Sequence, residues 1–295
     1  MSILKDNVNL GPSEFRRMMN KEGCFAAGVF NGISAIIAER NGFKSTYLSG
    51  SGVAASMGYP DISVTTLSEV AEEARRITRV TRSPLIVDCD TGFGETINVS
   101  RTVRIMEEAG VSAIHLEDQI LPKRCGHLDG KELISVADMA KKIRSAVSSR
   151  KNKDFTIIAR TDSRSVEGFD ESVQRAREYL KNGADAIFIE ALESEEEFRE
   201  FSSKVKAPLL ANMTEFGKSP LLAYDELRSM GYSIVIYPLT AFRSMMKNIS
   251  EIYSGLYSSG TQRNFMDRLM TRREFYDVIG YDEYGKEDRE LNNER

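Results

Sequence analysis

The 295-residue chain has no tryptophan, two histidines, three cysteines and seven prolines, and its net charge is only −4. Each scarcity excludes something. Cys24, Cys89 and Cys125 are an odd set without paired spacing, which argues against a disulfide framework and for a reducing, cytoplasmic setting. Cys125 and His127 lack the second close Cys or His pair that a structural zinc site needs. With no global excess of Lys and Arg, neither nucleic acid nor an anionic membrane is expected as a partner. No apolar run approaches the ~20 residues of a membrane-spanning helix, and the opening MSILKDNVNLG has no charged-then-apolar leader pattern. No linker, repeat or low-complexity stretch divides the chain, so residues 1–295 read as one domain.

What is present is a recurrent pattern. Eight short apolar runs stand out: CFAAGVF (24–30), STYLS (45–49), PLIVDCD (84–90), AIHLED (113–118), FTIIART (155–161), AIFIE (186–190), PLLANM (208–213) and SIVIYP (233–238). They are near-continuous rather than alternating, the mark of strands buried on both faces. Helical patterns lie between most of them. LSEVAEEARRITRVT (67–81) carries a Val70, Ala74, Ile77, Val80 stripe, and residues 98–110, 135–149, 171–183, 194–205 and 219–231 follow with capping signals. ISAIIAERNG (33–42) reads as a short helix, and SMGYPDISV (56–64) as non-helical. Alternating β and α of this length predicts a (β/α)8 barrel, with a doubly wound open sheet as its rival. Two further amphipathic stretches, 241–260 and 271–280, exceed what a barrel needs. They read as an arm (about 241–285) that forms an oligomer, before a charged tail, YGKEDRELNNER, expected to fray.

In a barrel, reactive residues gather where strands end at their C-termini. Those positions hold Ser49-Gly50-Ser51-Gly52, Asp88-Cys89-Asp90, Glu117-Asp118, Arg160-Thr161-Asp162, Glu190, Asn212-Met213-Thr214-Glu215 and, after the last strand, Arg243. Asp88 and Asp90, two apart on a strand, point to one side. With Glu117 they make a hard oxygen site of the kind Mg²⁺ prefers. GSGVAA (50–55) matches a GxGxxA dinucleotide fingerprint, but SMGYPDIS follows where a helix should, so the segment reads as a loop or as backbone approach to a carboxylate. Arg160 and Arg243 each suit either a substrate carboxylate or a rim salt bridge with Glu190 or Glu215.

The segment LPKRCGHLDGKE (121–132) sets Cys125 beside Lys123, Arg124 and His127, a setting that favours a reactive thiolate. On these residues alone it reads equally as an inert surface-loop cysteine.

At KRCGH the sequence resembles the isocitrate lyase and phosphoenolpyruvate mutase superfamily. The stretches YLSGSGVAASMGYPD, LIVDCDTGFGE, HLEDQILPKRCGH, IIARTDS, LLANMTEFG and YPLTAFR carry the resemblance over about residues 10 to 280. KRCGH is similar to the loop of the lyase branch, whereas the mutase and hydrolase branches have no cysteine there. The resemblance implies a β/α barrel that exchanges a C-terminal helix between subunits, with a homotetramer expected. It implies Mg²⁺ (or Mn²⁺) at Asp88 and Asp90, with Asp61 and Glu117 around its waters. A tricarboxylate substrate would meet Ser49, Gly50, Ser51, Lys123, Arg124, Gly126, Arg160, Glu190, Asn212, Thr214, Arg243 and Arg272. Ser51 departs from a commoner glycine. Cys125 would be the acid on a loop closing over 119–131, with His127 and Arg160 as further catalytic groups. Phe188 stands where isocitrate lyases are similar in having tryptophan, so the resemblance implies room for an extra methyl. The implied reaction is retro-aldol cleavage of 2-methylisocitrate to pyruvate and succinate, with isocitrate, dimethylmalate or oxaloacetate as alternative substrates. Tyr47 is the candidate base, and a metal-linked carboxylate is its rival.

Overall fold

In a computed structural model describing residues 9–293, the strands β1 Cys24–Val29, β2 Ser45–Leu48, β3 Leu85–Asp88, β4 Ala113–Glu117, β5 Thr156–Thr161, β6 Ala186–Ile189, β7 Leu209–Asn212 and β8 Ile234–Tyr237 close into one parallel barrel in sequence order. The open-sheet alternative is thereby excluded, since β8 pairs back onto β1 with Cys24 opposite Ile234. All eight apolar runs are strands, and the reason they are continuous is visible. One set of side chains fills the barrel (Cys24, Ala26, Tyr47, Ile86, Ala113, Ile158, Ala186, Phe188, Leu210, Ile234, Ile236). The alternate set, including Leu48, Val87, Ile114, Ile157 and Val235, packs outward under the helices.

A helix the periodicity reading passed over, α1 Gly11–Lys21, precedes β1. Its Phe15, Met18 and Met19, spaced for one helix face, join the interior cluster and close the floor of the barrel. The helices α2 Gly32–Arg40, α4 Leu67–Val80, α5 Thr96–Glu108, α6 Val136–Ser149, α7 Phe169–Lys181 and α8 Glu195–Lys204 follow the expected pattern. Thr66 and Glu69 form a capping box on α4, and Ser135 and Ser194 cap α6 and α8.

Three expectations are corrected. Gly50–Ser56 is a short helix, α3, so the segment after β2 is not a plain loop. The last intervening helix, α9 Tyr224–Ser229, begins after Pro220 rather than containing it. The tail expected to fray is helical to Asn293 (α12, Tyr281–Asn293); Glu294 and Arg295 lie outside the described residues. The surplus stretches are α10 Thr240–Ser259 and α11 Arg272–Ile279. Among the described residues, no helix is long and apolar enough to cross a membrane.

Candidate active site

The C-terminal rim of the barrel is where the backbone is strained. Among the described residues, Ser63, Asp90, Phe93, Ala191 and Phe216 are the non-glycine residues at positive φ, and all follow strands at this end. Asp90 corrects the strand argument made from spacing. β3 stops at Asp88, and Asp90 sits in the following turn with φ 45°. The turn, rather than a shared pleat, brings the two carboxylates together. A Cβ added at Gly50 would lie 3.1 Å from Asp88 Oδ2 and 3.4 Å from Asp90 Oδ1, so both converge on that glycine. The Gly50 N–H donates to Asp88 Oδ2 at 3.1 Å, which commits this amide to the floor of the site. The next two amides of α3, on Ser51 and Gly52, have no partner within the helix. Ser49 is buried at the start of that turn.

The register of β4 against β5 sets Glu117 opposite Arg160. Both are buried, and Arg160 Nε lies 3.3 Å from Glu117 Oε2. The guanidinium is also forked by Asp162, at 2.9 and 3.1 Å, and reaches Glu190 Oε2 at 3.2 Å over the ring of Phe188. The salt-bridge reading of Arg160 is therefore realised, and so is that of Arg243, which pairs with Glu215 at 3.2 Å. Asn212 donates to Glu190 at 3.3 Å, and its buried Oδ1 has no partner. Thr214 is buried beside it in the loop after β7.

Inside the mouth, the Tyr47 hydroxyl lies 2.9 Å from His115 Nε2, which in turn is 3.6 Å from Asp88 Oδ1. Burial pushes the Tyr47 phenol well above its ordinary value and pulls His115 down to about 4, so both are neutral. Phe188, fully buried, meets His115 edge-on at 5.3 Å.

The loop carrying Cys125 lies closed on this floor. A Cβ at Gly126 would come within 2.4 Å of Glu190 Cγ and 2.5 Å of an Arg160 nitrogen, so only glycine lets the backbone sit there. Lys123 buries its ammonium against Asp61 and Asp90. His127 Nδ1 accepts from the Lys218 N–H at 3.0 Å, while Nε2 lies 2.9 Å from Glu190 Oε1, off the alignment of a full hydrogen bond. Lys131 donates to the Gly126 carbonyl and lies 3.5 Å from Asp162. Cys125 itself is half-buried, whereas Cys24 and Cys89 are buried; all are free thiols. Arg124 is exposed.

The sequence-derived residues are thus brought to one rim, with one exception. Arg272 lies on α11 in a surface cleft with Arg273, Tyr276, Asp277, Asp282 and Glu283. Sequence reasoning missed Gln119, Lys131 and Lys218. Each is a polar residue in a loop with no periodicity, and nothing short of the fold marks it.

Among the described residues no three His, Cys, Asp or Glu groups are gathered as a ready-made metal cage. Yet Asp90 Oδ1 and both Glu117 oxygens are buried without hydrogen-bond partners, and hard oxygens are what Mg²⁺ takes. Four carboxyl groups, Asp61, Asp88, Asp90 and Glu117, gather here against two cations, Lys123 and Arg160, with His115 beside Asp88. Burial pushes Asp90 up to about 6 and Glu117 well above the carboxylate range. Asp88 is also pushed up by burial, but His115, Lys123 and Arg160 outweigh this and hold it at about 2. The residues fit a divalent ion.

Residues 15–256 match the phosphoenolpyruvate phosphomutase family. The chain belongs to that family. Among its relatives, the 2-methylisocitrate lyase of Aeropyrum pernix is 55% identical over 266 residues, covering 90% of this chain and 86% of that one. The 2-methylisocitrate lyase of Escherichia coli is 44% identical over 273 residues, 92% of each chain. A solved structure of 2,3-dimethylmalate lyase, described as a member of the PEP mutase/isocitrate lyase superfamily, superposes with a TM-score of 0.90 at 36% identity, over 96% of both chains. Oxaloacetate acetylhydrolase does so with a TM-score of 0.90 at 33% identity, over 97% of this chain and 98% of that one. The relatives that share this barrel are named for different chemistries, so the rim has to choose among them.

Proposed function

We propose that this chain is a carbon–carbon lyase that cleaves 2-methylisocitrate to pyruvate and succinate. The observation that carries it is the lodging of the KRCGH loop, with Gly126 against Arg160 and Glu190, over buried carboxylates of which Asp90 Oδ1 and both Glu117 oxygens have no hydrogen-bond partner. The 43–44% identity to 2-methylisocitrate lyases of several bacteria, and 55% to that of Aeropyrum pernix, supports the substrate.

Asp88 and Asp90 would hold Mg²⁺ (or Mn²⁺), with Asp61 and Glu117 beside them. When bound, such an ion supplies Lewis-acid polarisation of substrate oxygens. Cleavage removes the proton of the substrate hydroxyl, breaks the C–C bond to release pyruvate, and leaves the bonding pair on the succinate carbon. Cys125 then gives its S–H proton to that carbon. The proton taken at the start returns to the thiolate, so the cycle is proton-neutral. Tyr47 is our candidate base. As a neutral phenol it can take the hydroxyl proton only while passing its own to His115 Nε2, 2.9 Å away. In this reading Arg160, and the Ser51 and Gly52 amides after Ser49, would neutralise a substrate carboxylate. Arg243 and Thr214 border the same mouth, and Lys123, Arg124 and His127 come with the loop. The closed loop would also keep water from the carbanion.

The arm is our candidate for assembly. Tyr253, Tyr257, Met266, Met270 and Phe275 are exposed along it, and a groove of about 550 Å³ lined by Phe25, Ala27, Ile37, Phe43 and Tyr237 lies open beside α2 and α10. Arms exchanged between copies would cover both surfaces and offer Arg272 to a second copy's rim, giving the expected homotetramer. Free thiols suit a cytoplasmic setting.

The test is pyruvate release from 2-methylisocitrate, isocitrate, 2,3-dimethylmalate and oxaloacetate, with Mg²⁺ and with EDTA. Activity on 2-methylisocitrate that exceeds the others and vanishes with EDTA is expected; a better rate on any other substrate overturns the reading.

A further inference from the structure

We propose that Gln119 is a positioning residue that fixes the peptide next to Cys125 and so sets the reach of its thiol. Gln119 is 1% exposed. Its side-chain amide makes a matched pair of bonds to one residue of the loop. Oε1 accepts from the Arg124 N–H at 2.9 Å, and Nε2 donates to the Arg124 carbonyl at 2.9 Å. The main chain of the same residue forms an antiparallel bridge with Leu133, and the Ile120 N–H donates to the Glu132 carbonyl at 2.8 Å. One residue thus closes the neck of the loop and grips its middle.

The arrangement imitates strand pairing, with a side-chain amide in place of one peptide. The amide of Gln offers a donor and an acceptor in one plane, whereas an ionised carboxylate offers acceptors alone. Glu would set a second acceptor against the Arg124 carbonyl, and Met, of similar shape, would leave both peptide groups unpaired. Beyond the held residue the chain turns inward: Arg124 is exposed, Cys125 half-buried and Gly126 buried. Lys131, donating to the Gly126 carbonyl, holds the far side of that turn. Cys125 is therefore suspended between two anchored peptides, and Gln119 supplies the first anchor.

The inference rests on Cys125 acting at the rim, but its test does not need turnover. Cys24 and Cys89 are buried, so alkylation of the native, ligand-free protein by iodoacetamide reads Cys125. In Gln119→Met and Gln119→Glu, Cys125 should be alkylated about tenfold faster or more than in the wild type, as expected of a loop released from its tether. For 2-methylisocitrate, kcat should fall about ten- to hundredfold while KM stays within about threefold, a split that general destabilisation would not produce. In the wild-type protein the Arg124 amide should be protected from hydrogen exchange relative to that of its exposed neighbour Asp129, a measurement that stands even if neither variant folds. Unchanged alkylation and kcat in both variants, or an Arg124 amide exchanging as fast as that of Asp129, overturns the proposal. Faster alkylation in a protein that cleaves none of the four substrates would support the tether and refute the lyase reading alone.

Discussion

Lys123 is 3% exposed, and its ammonium lies 3.1 Å from Asp90 Oδ1. Burial pulls a lysine down, but here Asp90, Glu117, Asp88 and Asp61 outweigh it and hold Lys123 well above its usual value. A loop residue therefore brings its charge into the cluster proposed to hold the cation, and the two charges compete. In Lys123→Met, Mg²⁺ should bind the ligand-free protein about tenfold more tightly, because a buried like charge has been removed. Calorimetric titration reads this. The same variant should lose most of its turnover. Weaker Mg²⁺ binding in the variant would show that Lys123 and the ion do not share the cluster.

Removal of the thiol is the direct test of the acid. Cys125→Ser should lower kcat by about 10²- to 10⁴-fold, the usual worth of a placed proton donor. Trapped during turnover and weighed by mass spectrometry, the wild-type enzyme should carry no substrate on Cys125. A kinetically competent adduct would make the residue a nucleophile instead.

Glu190 carries a pH signature. Burial alone would raise its carboxyl, but Arg160 and His127 outweigh burial and hold it at about 2, against 4.5 for a free side chain. A depressed carboxylate stabilises the fold above the unfolded value, and the benefit disappears as pH falls from 4.5 through 2. The wild type should thus exceed Glu190→Gln in stability at pH 7 by on the order of 3 kcal/mol. The gap should narrow between pH 4.5 and pH 2. Thermal melts of both proteins across that range decide it, and a gap that does not change with pH would contradict the assignment.

Phe188 closes the mouth from within the barrel, edge-on to His115. Phe188→Trp should lower the preference for 2-methylisocitrate over isocitrate by about tenfold or more, since one methyl group in a pocket is worth roughly that. Ratios of kcat/KM for the two substrates measure it. An unchanged ratio would place methyl recognition elsewhere.

The arm predicts an assembly. Light scattering should give a multiple of the 33.1 kDa chain mass. Replacing the exposed Tyr257 and Phe275 with Asp should lower that mass. Arg272→Ala should leave the mass unchanged and lower kcat/KM about ten- to hundredfold, the worth of a charged hydrogen bond. Full activity in a monomeric variant would separate the arm from the site.

The eight strands, most helices and the membership of the rim were legible in the chain. Strands such as PLIVD and AIFI, apolar on both faces, have few other ways to be buried than a barrel ringed by helices. Position at a strand's end then sent Asp88, Glu117, Arg160, Glu190 and Asn212 to one rim. Other features were legible only in part. The spacing of Phe15, Met18 and Met19 suits one helix face, yet that helix was passed over, and nothing in the chain says that its face plugs the barrel floor.

The sequence by itself determined what depends on period and order: the alternation of elements, the side of the barrel that carries chemistry, and the cysteine in a cationic loop. Only the tertiary structure decided what depends on contacts distant along the chain. Asp90 reaches Asp88 through a turn at positive φ, Arg160 is shared among three carboxylates, and Gln119 takes hold of Arg124. The physical reason is that a polar side chain shows its partner only once burial has removed water as the alternative, and burial is a property of the folded whole.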